Sequence, residues 1–186
     1  MTAAPAVRPS LSDGPTGRPG AASSRIQIVG PQTLPGFLVA VADVGEEVFT
    51  RPPWREPVSR ARGVAARLLA DSHRPGFVLA LARDDDEVYG FAYGHRCAKL
   101  ATLASRLPGD DFTLRELAVL PSRCGRGLGA ALHDTVLEAA GDGPRWLATH
   151  PAATAALGLY RSRGWRTMTL HASHGQTRLI MRKSAR

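Results

Sequence analysis

Short apolar runs and helix-like repeats of apolar residues follow one another from about residue 25 to the end of the chain. Residues 77–82 form an uninterrupted apolar run of strand length, and residues 112–120 form a second run of mixed polarity. Between residues 58 and 69, and again between residues 128 and 139, apolar side chains recur with the 3.6-residue period of an amphipathic helix. The pattern therefore predicts a fold built from strands and helices.

Glycine and proline residues separate these segments and set the predicted element order, β-α-α-β-β-β-α-β-α-β-β. Strands are expected at residues 26–29, 77–82, 87–97, 112–120, 145–149, 165–170 and 176–181, and helices at residues 34–48, 58–69, 128–139 and 152–162. Thr33 is the expected N-cap of the first helix, and residues 84–86 are the expected hairpin turn. Residues 98–109 are compatible with a short helix or a loop. The predicted fold class is α/β, in its α+β form.

Residues 1–24 differ from the rest of the chain in composition. They are rich in Pro, Gly, Ala and Ser and lack an apolar period, which predicts a disordered tail. Of the 186 residues, 44% are hydrophobic and 22% are charged, so residues 25–186 can form one domain with a sizeable core. No run approaches the roughly 18 apolar residues of a membrane span, and no secretory signal is recognisable. A cytoplasmic protein without a membrane partner is therefore expected.

Charge and cysteine content narrow the function classes. The formal net charge is +8, with 24 Lys and Arg residues. No compact basic cluster interleaves with aromatic residues, so nucleic acid is not the expected partner. The two cysteines, Cys97 and Cys124, and the six histidines show no metal-ligand spacing, so no metal site is predicted.

Three glycines, Gly125, Gly127 and Gly129, alternate with Arg126 and Leu128 between a predicted strand and a predicted helix. Glycine has no Cβ, so backbone N–H groups can face a ligand there. The N-terminus of the following helix adds unpaired N–H groups and a positive dipole end. This arrangement is typical of a site for an anion such as a pyrophosphate. The spacing matches neither the dinucleotide-binding fingerprint nor the P-loop.

The glycine turn and the strand before it resemble the diphosphate-binding turn of the GNAT superfamily of acyl-CoA-dependent N-acetyltransferases. The residues that carry this resemblance are Glu116-Leu117-Ala118-Val119, Pro121 and Gly125-Arg126-Gly127-Leu128-Gly129. A second segment, in which Leu159-Tyr160 precedes Gly164-Trp165, is similar to a GNAT pattern at the expected interval. The resemblance covers about residues 25–183. It implies a single GNAT-like domain with a central mixed, mostly antiparallel sheet flanked by helices.

The resemblance also implies roles for individual residues. Acetyl-CoA would be the co-substrate, and an amine would attack its thioester carbonyl directly. Tyr160 would protonate the leaving thiolate, and the Val119 N–H would donate to the oxyanion. The residues implied to bind the cofactor are Leu117, Ala118, Val119, Cys124, Gly125, Arg126, Gly127, Leu128, Gly129 and Ala130.

Two positions depart from the GNAT pattern. Members of the superfamily usually carry Arg or Gln at the position of Cys124, and often Asn at the position of Ala153. Backbone amides are expected to make most of the contacts to the cofactor at the glycine turn, so Cys124 is not expected to prevent cofactor binding. At Ala153 the resemblance implies that a hydrogen bond to the cofactor is lost or is made by another group.

Glu116 is the first candidate for the general base that takes a proton from the acceptor ammonium. In an extended strand Glu116 lies on the face of Leu114 and Ala118, since side chains alternate, and apolar neighbours raise a carboxyl pKa toward neutrality. A structural ion pair with an arginine is the alternative role. Glu56 and His95 are further candidates, although each is also compatible with a plain surface position.

Together these features predict an N-acetyltransferase that moves an acetyl group from acetyl-CoA to a primary amine. The alternative is a non-catalytic acyl-CoA-binding or sensing module, which needs the glycine turn but neither Tyr160 nor Glu116. Trp54, Glu56 and residues 98–109 are expected to shape the acceptor pocket, and the basic chain favours neutral or acidic acceptors or a peptide end. A homodimer through the C-terminal strands is common among members of the superfamily that this chain resembles.

The composition of residues 1–24 predicts that they are dispensable for folding. A chain that starts at residue 25 should have the same Tm as the full chain, because a segment without an apolar period buries little surface. Thermal unfolding of both chains, followed by circular dichroism, measures this. A Tm lower by many degrees, or slow hydrogen exchange of amides 1–24, contradicts the tail interpretation.

Overall fold

Seven strands form one mixed sheet in the order β1-β2-β3-β4-β5-β7-β6. The computed structural model describes residues 25–84, 87–173 and 175–184. Within that part of the chain every pair of neighbouring strands is antiparallel except β4 and β5, which are parallel. The strands are β1 (Arg25–Ile28), β2 (Val78–Arg83), β3 (Val88–Arg96), β4 (Phe112–Val119), β5 (Arg145–Thr149), β6 (Arg166–Ser173) and β7 (Gln176–Lys183). The predicted mixed, mostly antiparallel α/β fold is confirmed.

Helices flank the sheet in nearly the predicted order. They are α1 (Leu38–Phe49), α2 (Val58–Arg62), α3 (Val64–Asp71), α4 (Lys99–Leu103), α5 (Leu128–Ala139) and α6 (Thr154–Ser162). The segment 98–109, which the sequence left open, therefore contains a short helix. Asp85, Asp86 and the predicted tail, residues 1–24, lie outside the described residues.

Two helix predictions differ from the structure. The first helix begins with a 3-10 turn, Leu34–Phe37, and Thr33 does not cap it. The Thr33 hydroxyl instead donates to the Gly30 carbonyl at 3.2 Å. The predicted helix 58–69 is split at Gly63, which ends α2 and starts α3.

The sheet separates two apolar cores because successive strand residues point to opposite faces. Helices α1, α2 and α3 cover one face, where they pack against residues that include Leu79, Leu81 and Phe91. Helices α5 and α6 cover the other face, against residues that include Ala92 and Leu147. The two cores fix the positions of α3 and α6 on opposite sides of β4.

Strand β4 contains a bulge at Arg115. Tyr93 of β3 pairs with Glu116, but the next β3 residue, Gly94, pairs with Leu114, so Arg115 is an extra residue. Leu114 belongs to the core under α5 and α6, whereas Ala118 belongs to the core under α1 to α3.

The side chain of Glu116 contacts Arg67 on α3 and therefore lies on the face of Ala118. The prediction that Glu116 shares a face with Leu114 is wrong, because the bulge shifts the alternation by one residue.

Strands β4 and β5 diverge beyond this bulge. In the described part of the chain they pair from Phe112↔Arg145 to Leu114↔Leu147 and no further. Beyond the bulge, the Leu120 N–H donates to the Tyr89 carbonyl on β3 at 2.8 Å. Because hydrogen-bonding directions alternate along a strand, the main-chain groups of Leu117 and Val119 point away from β3, into the gap beside β5.

Strand β6 forms one edge of the sheet, and Leu170 on it is 61% exposed. The homodimer through the C-terminal strands remains a prediction. None of the described helices is long and apolar enough to cross a membrane.

Helix α1 approaches α2 and α3 closely at Gly45. A Cβ at Gly45 would lie 2.5 Å from Val64 Cγ1 and 2.9 Å from the Ala61 carbonyl oxygen. We expect Gly45→Ala to destabilise the protein by about 1–3 kcal/mol, because the core must shift to accept the methyl group.

Gly158→Ala is the matched control, since a Cβ at Gly158 in α6 meets no atom within 4 Å. We expect this substitution to stabilise helix α6 by about 0.5–1 kcal/mol. Urea unfolding of both variants measures the free energies, and equal stability of the two variants would contradict the close approach of α1.

Candidate active site

A cavity of about 630 Å³ opens where β4 and β5 diverge. Its apolar wall includes Leu114 and Leu117 of β4, Leu147 of β5 and Ala156 of α6. Trp54 and Glu56, from the loop between α1 and α2, line it from another side, and Lys99, Leu100 and Leu103 of α4 line it as well. The residues expected to shape an acceptor pocket therefore border the same space as the end of the β4–β5 pairing.

Glu116 lines this cavity and is a partly buried carboxylate, with 24% of its side chain exposed. Its Oε1 lies 3.4 Å from Nη2 of Arg67 on α3. Burial raises the pKa of Glu116, while the positive charges of Arg67 and Arg115 act in the opposite direction. A carboxyl group with a raised pKa is better matched to proton transfer near neutral pH than an exposed one.

Tyr160 of α6 lines the same cavity and is buried. Its hydroxyl has no hydrogen-bond partner among the described residues, so it can donate to a bound molecule. Burial raises the pKa of Tyr160, and the charge of Glu116 adds to that rise. The phenol therefore keeps its proton across the whole range of ordinary pH.

The glycine turn presents a row of unused donors at the start of α5. The backbone N–H groups from Gly125 to Ala130 have no hydrogen-bond partner within the described residues. Gly125 and Gly127 adopt positive φ angles of 76° and 80°, and a Cβ at either position would meet no protein atom within 4 Å. Six unpaired N–H groups at a helix N-terminus suit an anion with several oxygens, such as a diphosphate.

Gly129 connects this turn to the cavity. A Cβ at Gly129 would lie 3.8 Å from Val119 Cγ2 and 3.9 Å from Leu117 Cδ2, and Leu117 also lines the cavity. The unpaired N–H groups and the free main-chain edge of β4 are therefore neighbours.

Three further predicted positions have plain surroundings. The Ala118 side chain is buried in the core under α1 to α3, so only its main chain can reach a ligand. The exposed Cys124 has its thiol 3.5 Å from the Leu120 carbonyl and 3.8 Å from the Val119 carbonyl. Ala153 is the N-cap residue of α6 and provides no side-chain hydrogen bond there.

The two further base candidates occupy different places. Glu56 lines the cavity, where its Oε1 lies 3.5 Å from both Arg60 and Arg178. His95 is buried and does not line the cavity. Its Nε2 lies 3.5 Å from Asp71 Oδ1, and its Nδ1 lies 3.0 Å from the Arg96 carbonyl.

Several arginines in the cavity were missed by the sequence analysis. Arg60 and Arg67 stand seven residues apart across α2 and α3, which is a weak helical signal for a shared face. Arg178 reaches the cavity from β7, and nothing in its local sequence indicates that position. Among the described residues no group of three or more His, Cys, Asp and Glu side chains could hold a metal ion.

Comparison with known proteins identifies the family. The model of the acetyltransferase (GNAT) family matches residues 44–165. No curated protein has significant sequence similarity to the chain.

Solved structures share the fold at low identity. A protein from Desulfovibrio desulfuricans that is described as an acetyltransferase of the GNAT family is 20% identical, with a TM-score of 0.64, over 86% of this chain and 99% of the other. The ribosomal-protein-S18-alanine N-acetyltransferase of Escherichia coli is 19% identical, with a TM-score of 0.59, over 87% and 94%. The PaiA N-acetyltransferase of Thermoplasma acidophilum, solved in complex with coenzyme A, is 14% identical, with a TM-score of 0.57, over 86% and 99%. The chain therefore belongs to the GNAT acetyltransferase family.

Proposed function

We propose that this protein transfers an acetyl group from acetyl-CoA to a primary amine. The observation that carries the proposal is the joint placement of Glu116 and Tyr160 in one cavity at the point where β4 and β5 diverge. An N-acetyltransferase needs one group that accepts a proton from the acceptor ammonium and another that donates a proton to the leaving sulfur. A module that only binds acyl-CoA needs neither.

The chain offers a continuous set of donors for the cofactor. The unpaired N–H groups from Gly125 to Ala130 would hold the diphosphate, because the positive end of α5 favours an anion there. The main-chain groups of Leu117 would hydrogen-bond the pantetheine arm, as an added strand would, and so would the Val119 carbonyl, which also accepts a weak bond from the Cys124 thiol at 3.8 Å. The Val119 N–H would also be the donor to the thioester oxygen.

Glu116 would accept the proton that the acceptor loses before it can react. When bound, acetyl-CoA supplies an acetyl group that is activated as a thioester. An amine in solution is mostly protonated near neutral pH, since the reference pKa of a lysine-like amine is about 10.4. Because the pKa of Glu116 is raised, the difference between its pKa and that of the amine is smaller than for an exposed carboxylate.

Tyr160 would give its proton to the sulfur as the carbon–sulfur bond breaks. A phenol with a pKa of about 10 faces a thiol with a pKa of about 8.5, a difference of about 2 kcal/mol in water. Burial raises the pKa of Tyr160. A thiol leaving in the same cavity would also have its pKa raised by burial, so the pKa difference between the two groups would increase by less than the pKa of Tyr160 does. The proton that the nitrogen loses on becoming an amide replaces the one that Tyr160 gives up.

Gly127→Val should weaken coenzyme A binding at least about tenfold. The side chain would enter the space in front of the unpaired N–H groups, and the lost hydrogen bonds to a charged group are worth about 1.5–3 kcal/mol each. Isothermal titration calorimetry with coenzyme A measures the change.

Gly141→Val is the matched control for Gly127→Val. Gly141, just beyond the other end of α5, has a φ of 71° and also has no atom within 4 Å of a Cβ. Both variants should lose similar stability from backbone strain. Equal coenzyme A affinity in the two folded variants would refute the role of the glycine turn.

Tyr160→Phe should lower kcat at least about tenfold while coenzyme A affinity changes little. The ring stays and the proton donor goes, and general acid catalysis is typically worth about 10²–10⁴-fold. Stopped-flow thiol release with a true acceptor measures kcat once chemistry is shown to be rate-limiting. A wild-type kcat would leave Tyr160 as a core residue without a chemical role.

Glu116→Gln should lower the rate most between the raised pKa of Glu116 and the pKa of the amine, where wild-type Glu116 is ionised and the acceptor is an ammonium. Wild-type activity should rise with pH as Glu116 loses its own proton at its raised pKa. The deficit of the variant should shrink as the pH approaches the pKa of the amine, because the free amine then needs no base. A pH-independent deficit in kcat/KM would favour a structural ion pair with Arg67.

A further inference from the structure

The cavity that contains Glu116 and Tyr160 carries an excess of positive charge. Its described lining has two carboxylates, Glu56 and Glu116, and five cationic side chains, Arg60, Arg67, Arg115, Arg178 and Lys99. Such a lining repels a polycationic acceptor and attracts an anionic one. The positive charge comes from α2, α3, α4, β4 and β7, so it surrounds the cavity.

Two of these cations form an organised pair. Arg60 of α2 and Arg178 of β7 are 118 positions apart in sequence, yet both lie 3.5 Å from Oε1 of Glu56. Both also donate to Oε1 of Gln176, Arg60 at 3.3 Å and Arg178 at 3.0 Å. The Glu56 side chain is only 9% exposed, so it contacts the two guanidinium groups from the buried side of the pair.

The pair of arginines keeps one uncompensated positive charge and has N–H donors without a partner among the described residues. One carboxylate serves two guanidinium groups, which leaves one positive charge, and 3.5 Å is longer than the 2.7–2.9 Å of a strong charge-assisted bond. A guanidinium group has five N–H donors, and Nη1 of both arginines has no partner in the described part of the chain. The guanidinium carbon of Arg178 also lies 5.3 Å from the ring centroid of Trp54, which orients its planar fork.

We infer that the acceptor amine carries a carboxylate, which Arg60 and Arg178 bind while the amine faces Glu116. The inference rests on the proposed acetyl transfer and names its substrate class. Arginine forks match carboxylates in geometry as well as charge, and the two arginines approach from different elements. The carboxylate can be the α-carboxylate of a free amino acid or the side chain of an acidic residue at the start of a peptide.

The test compares acceptors that differ only in this group. Thiol release from acetyl-CoA is measured with free amino acids, with the corresponding amino acid amides and with the corresponding decarboxylated amines. We expect kcat/KM for the carboxylates to exceed that for the amides at least about tenfold. Peptide amides that begin with Asp or Glu form the second arm, and their preference over Asn and Gln peptides would identify the side chain as the source of the carboxylate.

Two variants locate the effect. Arg60→Gln and Arg178→Gln should each raise KM for carboxylate acceptors about tenfold, with little change in kcat, in coenzyme A affinity or in KM for the amides. Arg51→Gln is the matched control, because Arg51 makes a similar i,i+4 ion pair with Glu47 at 3.1 Å but does not line the cavity. It should leave all these values unchanged.

A binding measurement separates this inference from the proposed function. Calorimetry in the presence of coenzyme A compares N-acetyl amino acids, which resemble the product, with their amides. Preferential binding of the carboxylates supports the inference. Turnover with amides or decarboxylated amines as the better acceptors, or coenzyme A binding with no preference for any carboxylate, overturns it while acetyl transfer stands. Failure to bind coenzyme A and to release thiol with any acceptor refutes the proposed function itself.

Discussion

One extra residue in β4, Arg115, determines the geometry of the candidate active site. The bulge turns Glu116 to the face covered by α3 and ends the pairing of β4 with β5. Within the described residues, the main-chain groups of Leu117 and the Val119 N–H thereby have no partner on one side of the strand, and the Val119 carbonyl has only the Cys124 thiol at 3.8 Å. Asp71 on α3 stabilises the bulge, since its carboxylate lies 3.5 Å from Arg115 Nε. A regular β4 would close the cavity and direct Glu116 to the opposite side of the sheet.

The bulge also places a positive charge that opposes the effect of burial on the pKa of Glu116. Burial raises the pKa of this carboxyl group. Arg67 and Arg115 oppose that rise, and they come from α3 and from the bulge itself. The residue that distorts the strand therefore also limits the rise in the pKa of its neighbour. Tyr160 has no such counter-charge, and the charge of Glu116 reinforces its hold on the proton.

Local chemistry made part of this fold predictable. The glycine turn, the helix after it and strand β5 follow from residues adjacent in sequence, and their bounds agree with the structure. The bulge was missed because residues 112–120 read as one continuous strand, and nothing in that pattern reveals an extra residue opposite Gly94. The meeting of Arg60 and Arg178 was missed because it depends on β7 returning beside β5 and on the loop after α1. Such contacts are set by the tertiary fold and leave no local signal.

The two carboxylates of the cavity differ in what surrounds them, and this separates their roles. Oε1 of Glu56 lies between two arginines, and the side chain is almost fully buried beneath them. The contacts of this oxygen orient the two cations, and removing the charge of Glu56 would leave two guanidinium groups close together without a counter-charge between them. Glu116 has one long contact, at 3.4 Å to Arg67, and keeps an exposed portion that faces the cavity. Glu116 combines a raised pKa with room for a proton donor, so we propose Glu116 as the general base. The proposed role of Glu56 is to position the two arginines that bind the acceptor.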